Sequence, residues 1–105
     1  MRSPDRKAFA VYVERRRKHA GRVLARLAFN PIAASVHFPK TDCYFRRLPY
    51  HRANLRAFVN QEDGEISLQL EHEDNRGTQI LCKTHDPAEV ENLLTRRFRP
   101  RFPRD

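Results

Sequence analysis

The sequence predicts an α+β domain: a long N-terminal helix, an antiparallel meander of three or four strands, a C-terminal helix and a basic tail. Three observations carry that prediction. Apolar residues recur at helical spacing before residue 30, alternate with polar ones between residues 54 and 84, and return to helical spacing from residue 87. A chain of 105 residues suits one domain. Residues 1–99 are taken as that domain and 100–105 as a proline-containing basic tail, with no repeat or Gly/Ser linker to divide them.

The first helix is expected over residues 4–29. Ser3 suits the N-cap, Pro4 the first helical position and Asp5 the positive end of the dipole. Asn30-Pro31 closes it, because a residue before proline is pushed out of helical geometry. At about 100° per residue, Phe9, Tyr12, Val13, Ala20, Val23, Leu24 and Leu27 share one face. Lys7, Arg15, Lys18, Arg22 and Arg26 share the opposite face. Gly21 is a mild weakness in the middle. Arg16 falls inside the apolar face, where an unpaired guanidinium would be costly. It is expected to pair with Glu62, Glu65 or Glu71; the alternative is a helix face left open to a partner.

A strand is expected over Ala34, Val36 and Phe38, which alternate with Ser35 and His37 until Pro39 interrupts. Residues 40–52 read as irregular, with Cys43–Leu48 able to pair as a short edge strand. Residues 54–60 and 65–72 form a hairpin around Asp63-Gly64, a favoured tight-turn pair. Ile66, Leu68 and Leu70 point one way along its second strand, and Ser67, Gln69 and Glu71 the other. Asp74-Asn75-Arg76-Gly77 is a second turn, and residues 78–84 make another strand through Ile80 and Cys82. The last helix runs from Pro87 to about Phe98. Asp86 is its N-cap, Pro87 its first residue and Glu89 a capping-box acid. Val90, Leu93, Leu94 and Phe98 form its apolar stripe. The two helices are expected on one face of the sheet.

The net charge of +8 is unevenly placed. Residues 1–60 carry +11, residues 61–91 carry −7 and residues 92–105 carry +4. Of the 21 basic residues 17 are arginine, which suits planar, bidentate recognition of phosphate or carboxylate. No apolar run approaches the roughly 20 residues of a membrane span. The basic N-terminus has no uninterrupted apolar segment behind it, so no secretory signal is expected. Two distant cysteines, Cys43 and Cys82, read as reduced thiols of a cytoplasmic protein.

Several constellations carry chemistry. Arg15, Lys18, Arg22 and Arg26 recur at spacings of three and four, a row of roughly 17 Å that can follow a phosphate backbone. A solvated polar face, or pairing with the acidic 61–91 segment, explains the same residues. From Cys43 to Arg56, rings and guanidinium groups interleave: Tyr44, Arg46, Arg47, Tyr50, Arg52 and Arg56. Unpaired bases stack on such rings while arginine holds the backbone; alternatively Tyr44, Phe45 and Tyr50 plug the core. Arg97, Arg99 and Arg101 belong to a basic, proline-interrupted end that can dock on a partner or simply solubilise the chain. Cys82 and His85 have a C-x-x-H spacing, with Cys43 and His51 upstream as further zinc ligands. A buried Cys82 and a surface His85 account for the same letters without a metal, and none is expected.

The helix–strands–helix order resembles that of double-stranded-RNA-binding domains. Those domains begin their last helix with lysines, where this chain reads Asp86-Pro87-Ala88-Glu89. The resemblance therefore implies no residue-level correspondence. A small, non-enzymatic nucleic-acid-binding protein is the first expectation, with RNA or a single strand favoured and no cofactor. The alternative is a protein-interaction module, such as an inhibitor or adaptor docking on a charged surface of a nucleic-acid enzyme; opposite charges on one chain also permit a homodimer. The outsider is a metal-independent ribonuclease using two of His19, His37, His51, His72 and His85. No spacing selects the pair, and no glycine-rich phosphate loop or nucleophile elbow is present.

Overall fold

Two helices lie on one face of a five-stranded antiparallel sheet with strand order β1-β2-β3-β4-β5. In this computed structural model the described residues are 4–34, 36–74 and 77–98. The expected cap at Ser3, the middle of the turn at 74–77, and the tail with Arg99 and Arg101 lie outside them. Among the described residues no helix is long and apolar enough to cross a membrane.

Helix α1 spans Pro4–Arg26 and stops before Asn30-Pro31. Its end is a Schellman motif. The Phe29 amide donates to the Leu24 carbonyl (2.9 Å), the Ala28 amide donates to Ala25 (3.0 Å), and Ala28 is left-handed at φ 66°. Leu24 and Phe29, whose hydrophobic contact usually accompanies this motif, are both in the core. Glycine normally occupies the left-handed position, since a Cβ there costs about 1 kcal/mol or more. Ala28→Gly is therefore expected to stabilise the fold by up to about 1 kcal/mol, raising the melting temperature by roughly 4–8 °C. A thermal melt that falls would contradict this reading of the motif.

The chain turns directly into β1 (Asn30–Ile32), an edge strand whose Pro31 needs no donor on its open side. The expected strand over 34–38 does not form among the described residues. Ile32 pairs with Cys43 in β2 (Thr41–Leu48), so residues 33–40 must reverse the chain between two antiparallel strands. Phe38 from this connection packs on Phe58, the rings tilted and their centroids 4.7 Å apart. Nor is β2 a short edge strand: it is eight residues long and paired on both sides.

A single 3₁₀ turn (Pro49–His51) leads to β3 (Ala53–Asn60), then β4 (Ile66–His72) and β5 (Thr78–Thr84). In the β3–β4 turn Gly64 has φ 79°, and a Cβ there would sit 2.9 Å from the Arg16 Cβ. The β4–β5 ladder shifts register between Leu68 and Gln69, which pair with Cys82 and Ile80. This bulge separates Ile80 from Cys82, which plain alternation along a strand would put on one face. Ile80 is exposed beside Gln69, whereas Leu81 and Cys82 pack against the core.

Helix α2 (Pro87–Phe98) matches the expected bounds. Asp86 Oδ1 accepts from the Ala88 amide at 3.0 Å. Glu89 reaches back through a relay: Thr84 Oγ1 donates to Glu89 and accepts from the Asp86 amide. Leu55, Ile66 and Leu68 from the sheet, Leu24 from α1, and Val90 and Leu94 from α2 are all at most 1% exposed and form one core. The apolar stripe of α1 is only partly used. Val13 is its first buried residue, while Phe9 and Tyr12 are about half exposed. A 23-residue helix is ~34 Å long, against ~26 Å for an eight-residue strand, so its first turns outrun the sheet.

Candidate nucleic-acid interface

The outer face of α1 carries the basic row. Arg15, Lys18, Arg22 and Arg26 are all exposed, as is Lys7 before them. Their placement follows from the helix itself: the opposite side of each turn supplies Ala20, Val23, Leu24 and Leu27 to the core. Arg15 and Arg22 make no ion pair among the described residues. Lys18 lies 3.5 Å from Glu14, and Arg26 lies 3.6 Å from Glu91 in α2. Both contacts are solvent-exposed and screened by salt, so they neutralise the row weakly.

The interleaved segment does not extend this row. Alternation along β2 sends its residues to opposite faces. Tyr44 and Arg46 turn toward the helices, and Phe45 and Arg47 turn to the far face. Arg46 is 6% exposed, and its Nη1 donates to the Leu27 carbonyl at 2.7 Å. It caps the C-terminal end of α1, where a cation is favoured, and does not face a ligand. On the far face Arg47 pairs with Glu73 at 2.7 Å. Arg56 approaches Glu71 at 3.4 Å and lies over the Phe45 ring, 5.1 Å from its centroid. Tyr50 and Arg52 are exposed in the β2–β3 connection, Arg52 with φ 48°. Arg97 covers the Phe98 ring from the end of α2. The α1 row and the far-face arginines thus look in opposite directions.

Beside the row, α1 and the β1–β2 edge enclose an open groove of about 600 Å³. Gly21 gives it its shape, since a Cβ at that position would lie 2.9 Å from the Tyr44 hydroxyl. What reads in sequence as a weak point of the helix is the place where a ring approaches the backbone. Arg17 forms one wall. Its Nε and Nη2 donate to the two Asp42 carboxylate oxygens at 2.9 and 3.0 Å, and Gln61 Nε2 donates to Asp42 Oδ1 at 3.0 Å. Neither Arg17 nor Asp42 stands out in the sequence. The only signal is that Asp42 is one of three acids in the first 60 residues.

Burial raises the Asp42 pKa, but the hydrogen bonds from Arg17 and Gln61 outweigh it and leave the carboxyl below its ordinary 3.8. A depressed folded-state pKa stabilises fully above the unfolded value, and that stabilisation is lost as pH falls through the folded one. Asp42→Asn is therefore expected to melt below the wild type at neutral pH. The difference closes as pH drops below the aspartate range. A gap that is constant with pH would exclude the ion pair as its source. Burial, then the Asp42 charge, raise the Tyr44 phenol, so it stays a donor at neutral pH.

Arg16 finds no acid among the described residues. Its Nε donates to the Tyr12 hydroxyl at 2.9 Å and its Nη1 to the His85 carbonyl at 3.1 Å. Glu71 is turned to the far face beside Arg56, and Glu62 lies by Lys40. A backbone carbonyl serves because the 84–86 connection passes alongside α1. Among the described residues no group of three or more His, Cys, Asp or Glu side chains could hold a metal. Cys43 is level with Lys83 across three strand spacings, roughly 14 Å, so it cannot share an ion with Cys82 and His85. Of the five histidines, His51 and His72 line a common cavity of about 300 Å³ with Arg97. The His72 Nδ1 is buried there without a hydrogen bond.

Comparison with protein families, with curated proteins and with solved structures finds no match.

Proposed function

We propose that this protein binds nucleic acid without catalysing a reaction, holding the phosphate backbone along the outer face of α1. The observation that carries this reading is the exposed row Arg15, Lys18, Arg22 and Arg26, in which two arginines have no ion pair among the described residues. Successive members are three or four residues apart, about 4.5–6 Å along the axis, a pitch that lets neighbouring cations meet neighbouring phosphates. Contacts of this kind position a strand without reading its sequence. A cytoplasmic setting goes with the two free thiols.

Fluorescence anisotropy on nuclease-treated protein, with single- and double-stranded DNA and RNA across a salt series, tests the reading. Four phosphate contacts give a log–log salt slope of about −3 for single strands and nearer −4 for duplexes. Absence of binding at low salt, or a flat slope, overturns it.

A second reading is favoured by Phe9, Val11 and Tyr12, each about half exposed on the first turns of α1. Three apolar side chains beside a basic row suit docking on an acidic protein surface. A stoichiometric protein partner that survives nuclease during co-purification would favour it.

A further inference from the structure

We infer that the groove between α1 and the β1–β2 edge takes an unpaired nucleobase of the strand whose phosphates lie on the α1 row. The inference rests on the phosphate-binding reading above and narrows its ligand to single-stranded or locally unpaired nucleic acid.

Three features of the groove point to such an occupant. Its capacity of about 600 Å³ exceeds what one base needs and falls within the range of small-molecule sites. Its lining is amphipathic in the required sense. Exposed Pro31 and the half-buried ring of Tyr44 supply surface for a flat ring, and the Tyr44 hydroxyl makes no hydrogen bond among the described residues. A half-buried donor left unpaired is a handle for a base carbonyl or ring nitrogen. The third feature is charge. Lys18 and Arg22 belong both to the outer row and to the groove rim, so a backbone held by the row already lies at its mouth. Glu14 closes one end with negative charge. The phosphate is thus steered toward Arg22 and the base inward. A paired base cannot enter, because its edge and both faces are occupied within the duplex.

The experiment compares a single-stranded decamer, an abasic strand of equal length and the matching duplex, in DNA and RNA backbones, by anisotropy at fixed salt. The wild type is expected to bind the base-bearing strand roughly ten-fold more tightly than the abasic one, the scale of one base stacked on an aromatic surface. Tyr44→Phe should lower that ratio. Ala25→Phe, which fills the groove from an exposed helix position, should bring it near one. Because the ratio is taken on one preparation, partial unfolding of a variant cancels. Equal binding of base-bearing and abasic strands, with a steep salt slope retained, overturns the base site and leaves phosphate binding standing. A preference that survives both substitutions overturns the groove as its location. No binding of any strand ends both readings.

Discussion

Replacing Arg15 and Arg22 together by alanine is expected to weaken nucleic-acid binding roughly 25- to 60-fold near 0.1 M salt, single strands at the low end and duplexes at the high end. The estimate follows from counterion release. Each lost phosphate contact removes about 0.7 to 0.9 from the salt slope, which at about 0.1 M is nearly one decade of affinity. These two arginines are the cleanest choice because neither has an acidic partner among the described residues, so their removal leaves no carboxylate exposed to repel the strand. Both are exposed on a helix, where alanine is a good residue and surface changes cost within about 0.5 kcal/mol. An unchanged melting curve beside a large loss of affinity is the expected pair of results. A loss of less than about three-fold would place the phosphate contacts elsewhere.

Arg46→Ala should do the reverse. Its guanidinium is buried and donates to the Leu27 carbonyl at the end of α1. Truncation removes a charge-assisted bond worth about 1.5–3 kcal/mol and leaves a buried carbonyl without that donor. A destabilisation of about 3 kcal/mol is expected, or roughly 12–24 °C in melting temperature for a domain of this size. Arg46→Met keeps the aliphatic stem and should lose somewhat less, which separates the bond from the packing. At temperatures where the variant remains folded, its salt slope should equal that of the wild type. A fully stable Arg46→Ala with a reduced slope would restore this residue to the binding surface.

The contrast between these substitutions reflects what a sequence can carry. Helix α2 was legible to the residue because its signals are local: Asp86, Pro87 and Glu89 define a start within four positions. Strand β4 was legible because Ile66, Leu68 and Leu70 alternate cleanly. Strand β2 was not, because the residues it turns toward the helices are Asp42, Tyr44, Arg46 and Leu48. Three of those are polar, and the groups that accommodate Asp42 and Arg46 lie 25 and 19 residues away in α1 and its end. Neither hydropathy nor burial alternates along β2: Asp42 and Tyr44 are only half-buried, whereas Cys43 on the far face is buried. The end of α1 was obscured for a different reason: the left-handed position is filled by Ala28, so no glycine marks it.

The basic row was readable from periodicity, which fixes which side of a helix faces out. How far the sheet extends under the helix is a property of the packed layers, so periodicity puts Phe9 and Tyr12 on the apolar face although both are about half exposed. Pairing is likewise non-local. Arg47 and Arg56 look like their α1 counterparts in sequence, yet the β4 strand and the turn after it bring Glu71 and Glu73 beside them. The groove was invisible because it needs Gly21 and Tyr44 to meet across 23 residues of chain.

Parallel salt series on a single-stranded oligonucleotide, for the wild type, Arg15→Ala/Arg22→Ala and Arg47→Ala/Arg56→Ala, locate the phosphate-binding surface directly. The α1 row predicts a wild-type slope of about −3, a fall to about −1.5 for the helix pair, and no change for the sheet pair. A slope that falls with the sheet pair and not with the helix pair would contradict it.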